Sequence, residues 1–174
     1  MPTKINQDNL KKVAAALSNA GLSGNTLVLA LAQVAHETAG FNNQKIATHN
    51  NASGIVFANN PKKQLNATRG NPLPEAPKYN YAKFATLTDW AKDYLRIVGT
   101  NLKKSADTSQ YALRLADQKY YEVSPRYPNA IKNYSAGLAN WYSKLQKSIP
   151  STTTTAATIL PLAIVLISLY LLNR

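Results

Sequence analysis

The chain contains no cysteine and only two histidines, and these absences exclude several kinds of site. No disulfide framework can form, so the sequence is compatible with oxidising and reducing compartments alike. Structural zinc sites depend mainly on Cys and His ligands, and the string from His36 to Gly40 does not satisfy the HExxH zinc motif. We therefore expect neither a bound metal nor another cofactor.

Acidic residues are also scarce. Eight Asp and Glu stand against 20 Lys and Arg, which gives a formal net charge of +12. A surface this basic favours a polyanionic partner, and nucleic acid, anionic lipid and bacterial wall polymers all qualify. Most of the lysines stand singly or in pairs, which is also typical of an ordinary solvated surface. The sequence has no nucleic-acid-binding motif, so nucleic acid is the least favoured of these partners.

The two ends of the chain differ sharply in hydropathy. The first twelve residues are polar and lack the apolar run of a signal peptide, whereas residues 156–172 contain no charge. As a helix, this second segment would be about 25 Å long, which is at the short end of what spans a bilayer. We expect a domain over residues 1–149, a Pro/Ser/Thr linker over 150–155, and one transmembrane helix over 156–172 that attaches the protein to a lipid membrane.

Helical spacing of apolar residues dominates the domain and predicts a mainly α-helical fold. Residues 40–83 interrupt this pattern with many Asn, Pro and Gly, which predicts a small lobe of loops with a short irregular hairpin. The segment at residues 25–39 is apolar nearly all round in its middle and should form a central, buried helix. The predicted helices lie near residues 10–17, at 25–39 (the central one), from 88 onward, at about 108–117 and at about 127–146.

Glu37 is the first candidate for chemistry because of its position. It is the only acidic residue between Asp8 and Glu75, and it lies in the last turn of the most apolar helix. A buried surrounding and the negative end of the helix dipole would both favour its protonated, neutral form. Cleavage of a glycosidic bond needs such an acid, because the leaving oxygen must receive a proton. From position alone, an exposed glutamate at a helix end is an equally good interpretation.

Four segments, in the same order along the chain, resemble a known family. Residues 32–42, with the string His-Glu-Thr-Ala-Gly, resemble the helix that carries the catalytic glutamate in lysozyme-like hydrolases. Asn-Ala-Ser-Gly-Ile at residues 51–55 is similar to the Asn-Leu-Phe-Gly-Ile segment of bacterial and phage glucosaminidase domains of the flagellar type. Residues 81–94 and 121–131 resemble the two blocks that follow in those domains. The resemblance implies a lysozyme-like helical domain with a small loop-rich or β-hairpin lobe.

The resemblance also implies roles for particular residues. Glu37 would be the general acid, and a second carboxylate would come from Glu75 on the mobile lobe. Tyr121 would be the tyrosine that contacts the sugar near the reaction centre. The residues that would line the substrate groove are Asn51, Gly54 and Ile55.

Aromatic side chains around the expected groove could stack on sugar faces. Tyr81 belongs to a cluster in the loop-rich lobe, and Tyr127 belongs to a cluster near the last helix. Two departures from the family pattern leave the bond that is cleaved undecided. Ser53 stands where the family has a bulky Phe, and Ser124 stands where it usually has Asp.

Taken together, the resemblance and the apolar C-terminal segment predict a peptidoglycan hydrolase that cuts a glycosidic bond of the glycan strand. The type would be glucosaminidase or muramidase, and a lytic transglycosylase is not excluded. The expected location is the membrane of a lipid-containing bacteriophage virion or of the host cell. Two other interpretations stay open: an inactive glycan-binding or structural membrane protein, and a nucleic-acid-binding protein linked to a membrane.

Overall fold

The structure of the protein is a computed structural model. It describes residues 4–60, 62, 64–74, 76–121, 124 and 128–148. The predicted linker and the predicted transmembrane segment, residues 150–155 and 156–172, lie outside the described residues.

Six helices and two strands make up the described chain. The elements are α1 (Gln7–Asn19), α2 (Gly24–Glu37), α3 (Lys45–His49), β1 (Ala67–Leu73), β2 (Ala76–Phe84), α4 (Leu87–Lys104), α5 (Thr108–Asp117) and α6 (Ala130–Ser148).

Helix α2 is the centre of the core, as its sequence predicts. Every residue from Leu29 to Ala35 is buried, and the helix packs against α1, α4 and α6. Because apolar residues occur all round α2, other helices must cover it on several sides. The one strongly polar side chain in this run, Gln33, is fully buried and lies one turn before Glu37. The core therefore holds the last turn of α2 in a fixed position.

Side-chain caps begin three of the helices. Asn6 accepts a hydrogen bond from the backbone N–H of Asn9 at the start of α1 (3.1 Å). Thr86 accepts from the backbone N–H of Asp89 at the start of α4 (3.1 Å), and its hydroxyl donates to the Asp89 carboxylate (2.8 Å). Asp107 caps α5 in the same way. Such caps satisfy backbone donors that the first helical turn leaves unpaired.

A two-stranded antiparallel sheet projects from the helices. Strand β1 pairs with β2 from Ala67 opposite Phe84 to Leu73 opposite Ala76, with irregular register on the way. Ala82 and Phe84 at the end of β2 are buried against the helices, while most of the hairpin is exposed. The hairpin is therefore anchored at one end and reaches away from the core at the other.

The structure corrects two of the sequence-based predictions. The predicted fold was a mainly α-helical lysozyme-like domain with a small loop-rich or β-hairpin lobe and a C-terminal transmembrane helix, whereas the described chain is a mixed fold in which helices pack with a two-stranded antiparallel sheet. The prediction of a membrane-anchored protein with a single span is also wrong. Of the helices within the described residues, none combines the length and the apolar character that crossing a bilayer requires.

His49, the last residue of α3, is buried where the hairpin crosses this helix. It is 4% exposed, and its Nδ1 lies 2.8 Å from the Thr48 hydroxyl. Its Nε2 accepts a hydrogen bond from the backbone N–H of Asn71 (3.4 Å), so this nitrogen carries no proton. A Cβ at Gly70 would come within 2.7 Å of the His49 ring and 2.8 Å of the Tyr81 carbonyl oxygen, so only glycine fits there.

The stability of the fold should fall in mild acid because of His49. Burial, followed by the charges of Lys45 and Lys83, lowers the pKa of His49 below its ordinary value of 6.5. As pH falls through 6.5, His49 therefore takes up a proton more readily in the unfolded chain than in the folded chain, and the free energy of unfolding decreases. We expect urea unfolding between about pH 7 and pH 5 to show a smaller decrease in stability for His49→Gln than for the wild type. Equal decreases would contradict this account.

Candidate active site

Helix α2 ends at Glu37 in a sharp turn. The Thr38 hydroxyl donates to the carbonyl oxygen of Val34 and accepts from the backbone N–H of Phe41 (3.0 Å). The backbone of residues 39–41 has positive φ throughout, with Gly40 at +77°. A Cβ at Gly40 would lie 2.9 Å from the Trp141 ring, so the turn needs glycine for conformation and for space. This turn leaves the Glu37 side chain at the edge of the core.

Glu37 lines a cavity of about 390 Å³, a volume within the usual range of ligand pockets. The predicted groove residues Gly54 and Ile55 line the same cavity, so the structure brings three of the candidates together. Within the described part of the chain, Glu37 is the only carboxylate in this lining. The other lining residues are Ser53, Val56, Ala58, Gln64, Ile97, Gln118, Lys119 and Tyr120.

Glu37 is exposed, which is the second of the two interpretations that its position allowed, and not in a buried surrounding. The reason is geometric: α2 is buried as far as Ala35, but its last turn ends where the helices give way to the open cavity. The carboxylate is therefore accessible to a ligand in the cavity. Its orientation depends on a specific contact rather than on enclosure.

Tyr134 of α6 supplies that contact. Its hydroxyl donates a hydrogen bond to Oε1 of Glu37 (2.7 Å). The Tyr134 ring is fixed on two sides, because Tyr121 stacks on it with ring centroids 4.2 Å apart and His36 meets it edge-on at 4.9 Å. A bond to one carboxylate oxygen restricts the side chain and leaves the other oxygen, Oε2, as the atom that can reach a ligand.

Behind Tyr134 lies a buried network of hydroxyl groups centred on Gln33. Oε1 of Gln33 accepts hydrogen bonds from Tyr94 (2.6 Å) and Tyr111, and its Nε2 donates to Tyr134 (3.4 Å). Burial raises the pKa of Tyr94 and Tyr111 well above the ordinary tyrosine value, and burial followed by the charge of Glu37 raises the pKa of Tyr134. All three hydroxyls therefore stay protonated and remain available as donors. Gln33 and Glu37 are four residues apart, so the network and the carboxylate share one face of α2.

Asn51 supports the cavity without lining it. The side chain is fully buried, donates to the carbonyl oxygens of Ile55 (2.8 Å) and Ala82 (2.9 Å), and accepts from the backbone N–H of Ile55 (2.9 Å). These bonds hold the loop that contains Gly54 against strand β2. The neighbouring Ser53 accepts a hydrogen bond from the buried indole of Trp90 (3.1 Å). The segment that resembles the family motif is thus a fixed wall of the cavity.

The remaining predicted residues lie elsewhere. Tyr121 contacts Glu37 only through Tyr134, and its hydroxyl donates to the carbonyl oxygen of Ala112 (2.9 Å), while Tyr120 lines the cavity. Tyr81 faces α3, with the Lys45 ammonium 4.6 Å from its ring centroid. Glu75 and Tyr127 lie outside the described residues, so their roles stay predictions.

Sequence reasoning missed the residues that orient the carboxylate. Gln33 gave a signal, because a lone amide in an otherwise apolar helix, one turn before the candidate acid, must find buried partners. Tyr134 gave none beyond its place on the apolar face of the last helix. Among the described residues, no three His, Cys, Asp or Glu side chains lie close enough together to hold a metal ion.

Comparisons with known proteins leave the chain without a family. No protein-family model matches it, and no curated protein matches its sequence. One chain in a solved structure of a type VI secretion system effector-immunity complex from Pseudomonas protegens is similar, with a TM-score of 0.49 and 17% sequence identity. The match covers 79% of this chain and 96% of that chain. A likeness this distant assigns neither a family nor an activity.

Proposed function

We propose that the protein cleaves glycosidic bonds in the glycan strand of peptidoglycan, with Glu37 as the proton donor. The observation that carries this proposal is the setting of Glu37: an accessible carboxylate in a cavity of about 390 Å³, oriented through one oxygen by Tyr134. The ordered resemblance of four segments to glucosaminidase domains supports the reaction type. The net charge of +12 supports an anionic polymer such as the bacterial wall as substrate.

The reaction follows from the chemistry of one such acid. The protonated carboxyl of Glu37 donates its proton to the glycosidic oxygen, the bond from that oxygen to C1 breaks, and the leaving sugar departs as an alcohol. Positive charge then develops at C1, where the carbonyl oxygen of the substrate's own N-acetyl group can stabilise it. Water adds its hydroxyl group to C1, and its remaining proton restores the acid on Glu37. Glu75 stays a predicted second carboxylate, and no step here depends on it.

The proposal is tested by the products that the 174-residue chain releases from purified peptidoglycan. We expect soluble fragments whose peptides are intact and whose new ends are sugars, as identified by mass spectrometry. Release of free peptides, or of fragments with new amino termini, would contradict glycosidic cleavage. Binding to the wall without any release would favour the inactive glycan-binding interpretation.

Tyr134 should contribute to turnover rather than to substrate affinity. Tyr134→Phe keeps the stacked ring but removes the hydrogen bond to Oε1 of Glu37. As Glu37 gives up its proton, negative charge develops on its carboxylate, and the hydrogen bond from Tyr134 stabilises that charge. We expect kcat to fall roughly 10- to 100-fold with little change in KM, because hydrogen bonds to charged groups contribute about 1.5–3 kcal/mol. Steady-state release of sugar ends measures both parameters.

Tyr142→Phe is the matched control for this prediction. It removes a hydroxyl from the same helix, where Tyr142 donates to the side chain of Asn25 (2.6 Å) and does not line the cavity. Equal effects of the two substitutions would show that Tyr134 acts only through the packing of α6.

A further inference from the structure

A second cavity, of about 510 Å³, lies between α4 and α5 beside the cavity of Glu37. Ile97 and Gln118 line both cavities and form the wall between them. The Gln118 side chain donates to the carbonyl oxygen of Ile97 (2.6 Å), which ties this wall to both helices. A substituent on a sugar chain bound at Glu37 would therefore need to pass only this wall to enter the second cavity.

Two arginines bring positive charge to the lining of the second cavity. Arg96 is positioned by Asp93, which is fully buried and lies 3.5 Å from the Arg96 Nε, and the Arg96 side chain remains 41% exposed. Arg114, on α5, lines the cavity from the other side. Its Nε is buried and has no hydrogen-bond acceptor among the residues that the structure describes. The Arg114 side chain is only half-buried, so its guanidinium group, whose Nε is out of contact with water and unpaired, can be stabilised by an anion that binds in the cavity.

The rest of the lining suits a polar ligand of mixed charge. Thr100 and Asn101 add a hydroxyl and an amide, and Asp117 adds one carboxylate. Asn101 is held in place by hydrogen bonds to the Arg114 carbonyl oxygen (3.4 Å) and to the Gln118 side chain. Planar guanidinium groups recognise carboxylates with paired hydrogen bonds, and a carboxylate such as Asp117 can accept from an ammonium group.

We propose that this second cavity is a subsite for a carboxylate of the peptide that is attached to the glycan strand, bound by Arg96 and Arg114. The inference rests on the proposed function, because it assumes that the glycan strand occupies the cavity of Glu37. It adds a specificity: strands that carry peptides should bind better than strands from which the peptides have been removed.

The experiment compares two substrates, peptide-bearing strands and the same strands after enzymatic removal of the peptides. The wild-type chain is compared with Arg114→Gln. We expect this variant to raise KM about ten-fold on peptide-bearing strands and to leave kcat/KM on peptide-free strands within about two-fold. Lys103→Gln is the control, since it removes one charge from the exposed end of α4 outside both cavities.

A binding measurement separates this inference from the proposed function. Calorimetry with the isolated peptide should show binding to the wild type and weaker binding to Arg114→Gln, whether or not the protein cleaves anything. If Arg114→Gln does not fold, Thr100→Asp places a repelling charge at an exposed position in the same lining.

Three results would overturn the subsite: no binding of the peptide, binding of inorganic phosphate as tight as that of the peptide, or equal losses of activity on both substrates. Cleavage of neither substrate by the wild type would overturn the proposed function.

Discussion

Replacement of Glu37 by glutamine is expected to lower the rate of glycan cleavage by at least about 100-fold, because a positioned general acid contributes roughly 10²–10⁴-fold to such reactions. Glutamine has nearly the same shape, and its amide oxygen can still accept the hydrogen bond from Tyr134. The substitution therefore removes the transferable proton while it preserves the fold and the cavity. Release of sugar ends from purified peptidoglycan measures the effect.

Asp8→Asn is the matched control for the Glu37 substitution. It makes the same change from carboxylate to amide, but at an exposed position in the first turn of α1. We expect this variant to retain the wild-type rate. If Glu37→Gln also retained that rate while its thermal unfolding matched the wild type, Glu37 would not be the proton donor.

Replacement of Gln33 by leucine is expected to have the largest effect on stability, a loss of about 2–5 kcal/mol. Leucine fills a similar volume but leaves the buried hydroxyls of Tyr94 and Tyr111 without their acceptor. An unsatisfied buried polar group costs about 1–3 kcal/mol, and here two are created at once. The free energy of unfolding in urea measures this loss.

A combined variant shows whether the loss arises from the hydrogen bonds. Replacing Tyr94 and Tyr111 by phenylalanine together with Gln33→Leu removes donors and acceptor alike. Removing both sides of a buried hydrogen bond is often nearly neutral, so much of the lost stability should return. If Gln33→Leu alone were as stable as the wild type, the network would not contribute to the fold.

The positions of the longer helices could be predicted because apolar periodicity is a local property. The pattern at residues 25–39 predicted a central helix, which the structure has at Gly24–Glu37, and the helix predicted at about 108–117 is observed at Thr108–Asp117. The periodicity also explains why α2 is enclosed on several sides. Local pattern therefore placed the candidate acid correctly at the end of a buried helix.

The extent and register of the antiparallel hairpin and the orientation of Glu37 could not be predicted in the same way. Strand β1 contains Gly70 and Pro72, residues that strands usually disfavour, and pairing between backbones leaves little trace in side-chain pattern. The contact between Glu37 and Tyr134 joins residues 97 positions apart. A single sequence carries no local signal for such a contact, so the orientation of the carboxylate did not follow from the position of Glu37 in α2, and that position left burial and exposure equally open.

Digestion of purified peptidoglycan in water enriched with ¹⁸O, with the wild type and Glu37→Gln side by side, tests glycosidic hydrolysis by Glu37. We expect the wild type to place one ¹⁸O atom on C1 of each new sugar end, because water adds at that carbon, and Glu37→Gln to yield little labelled product. Label in peptide carboxyl groups, or equal labelling of sugar ends by both proteins, would contradict it.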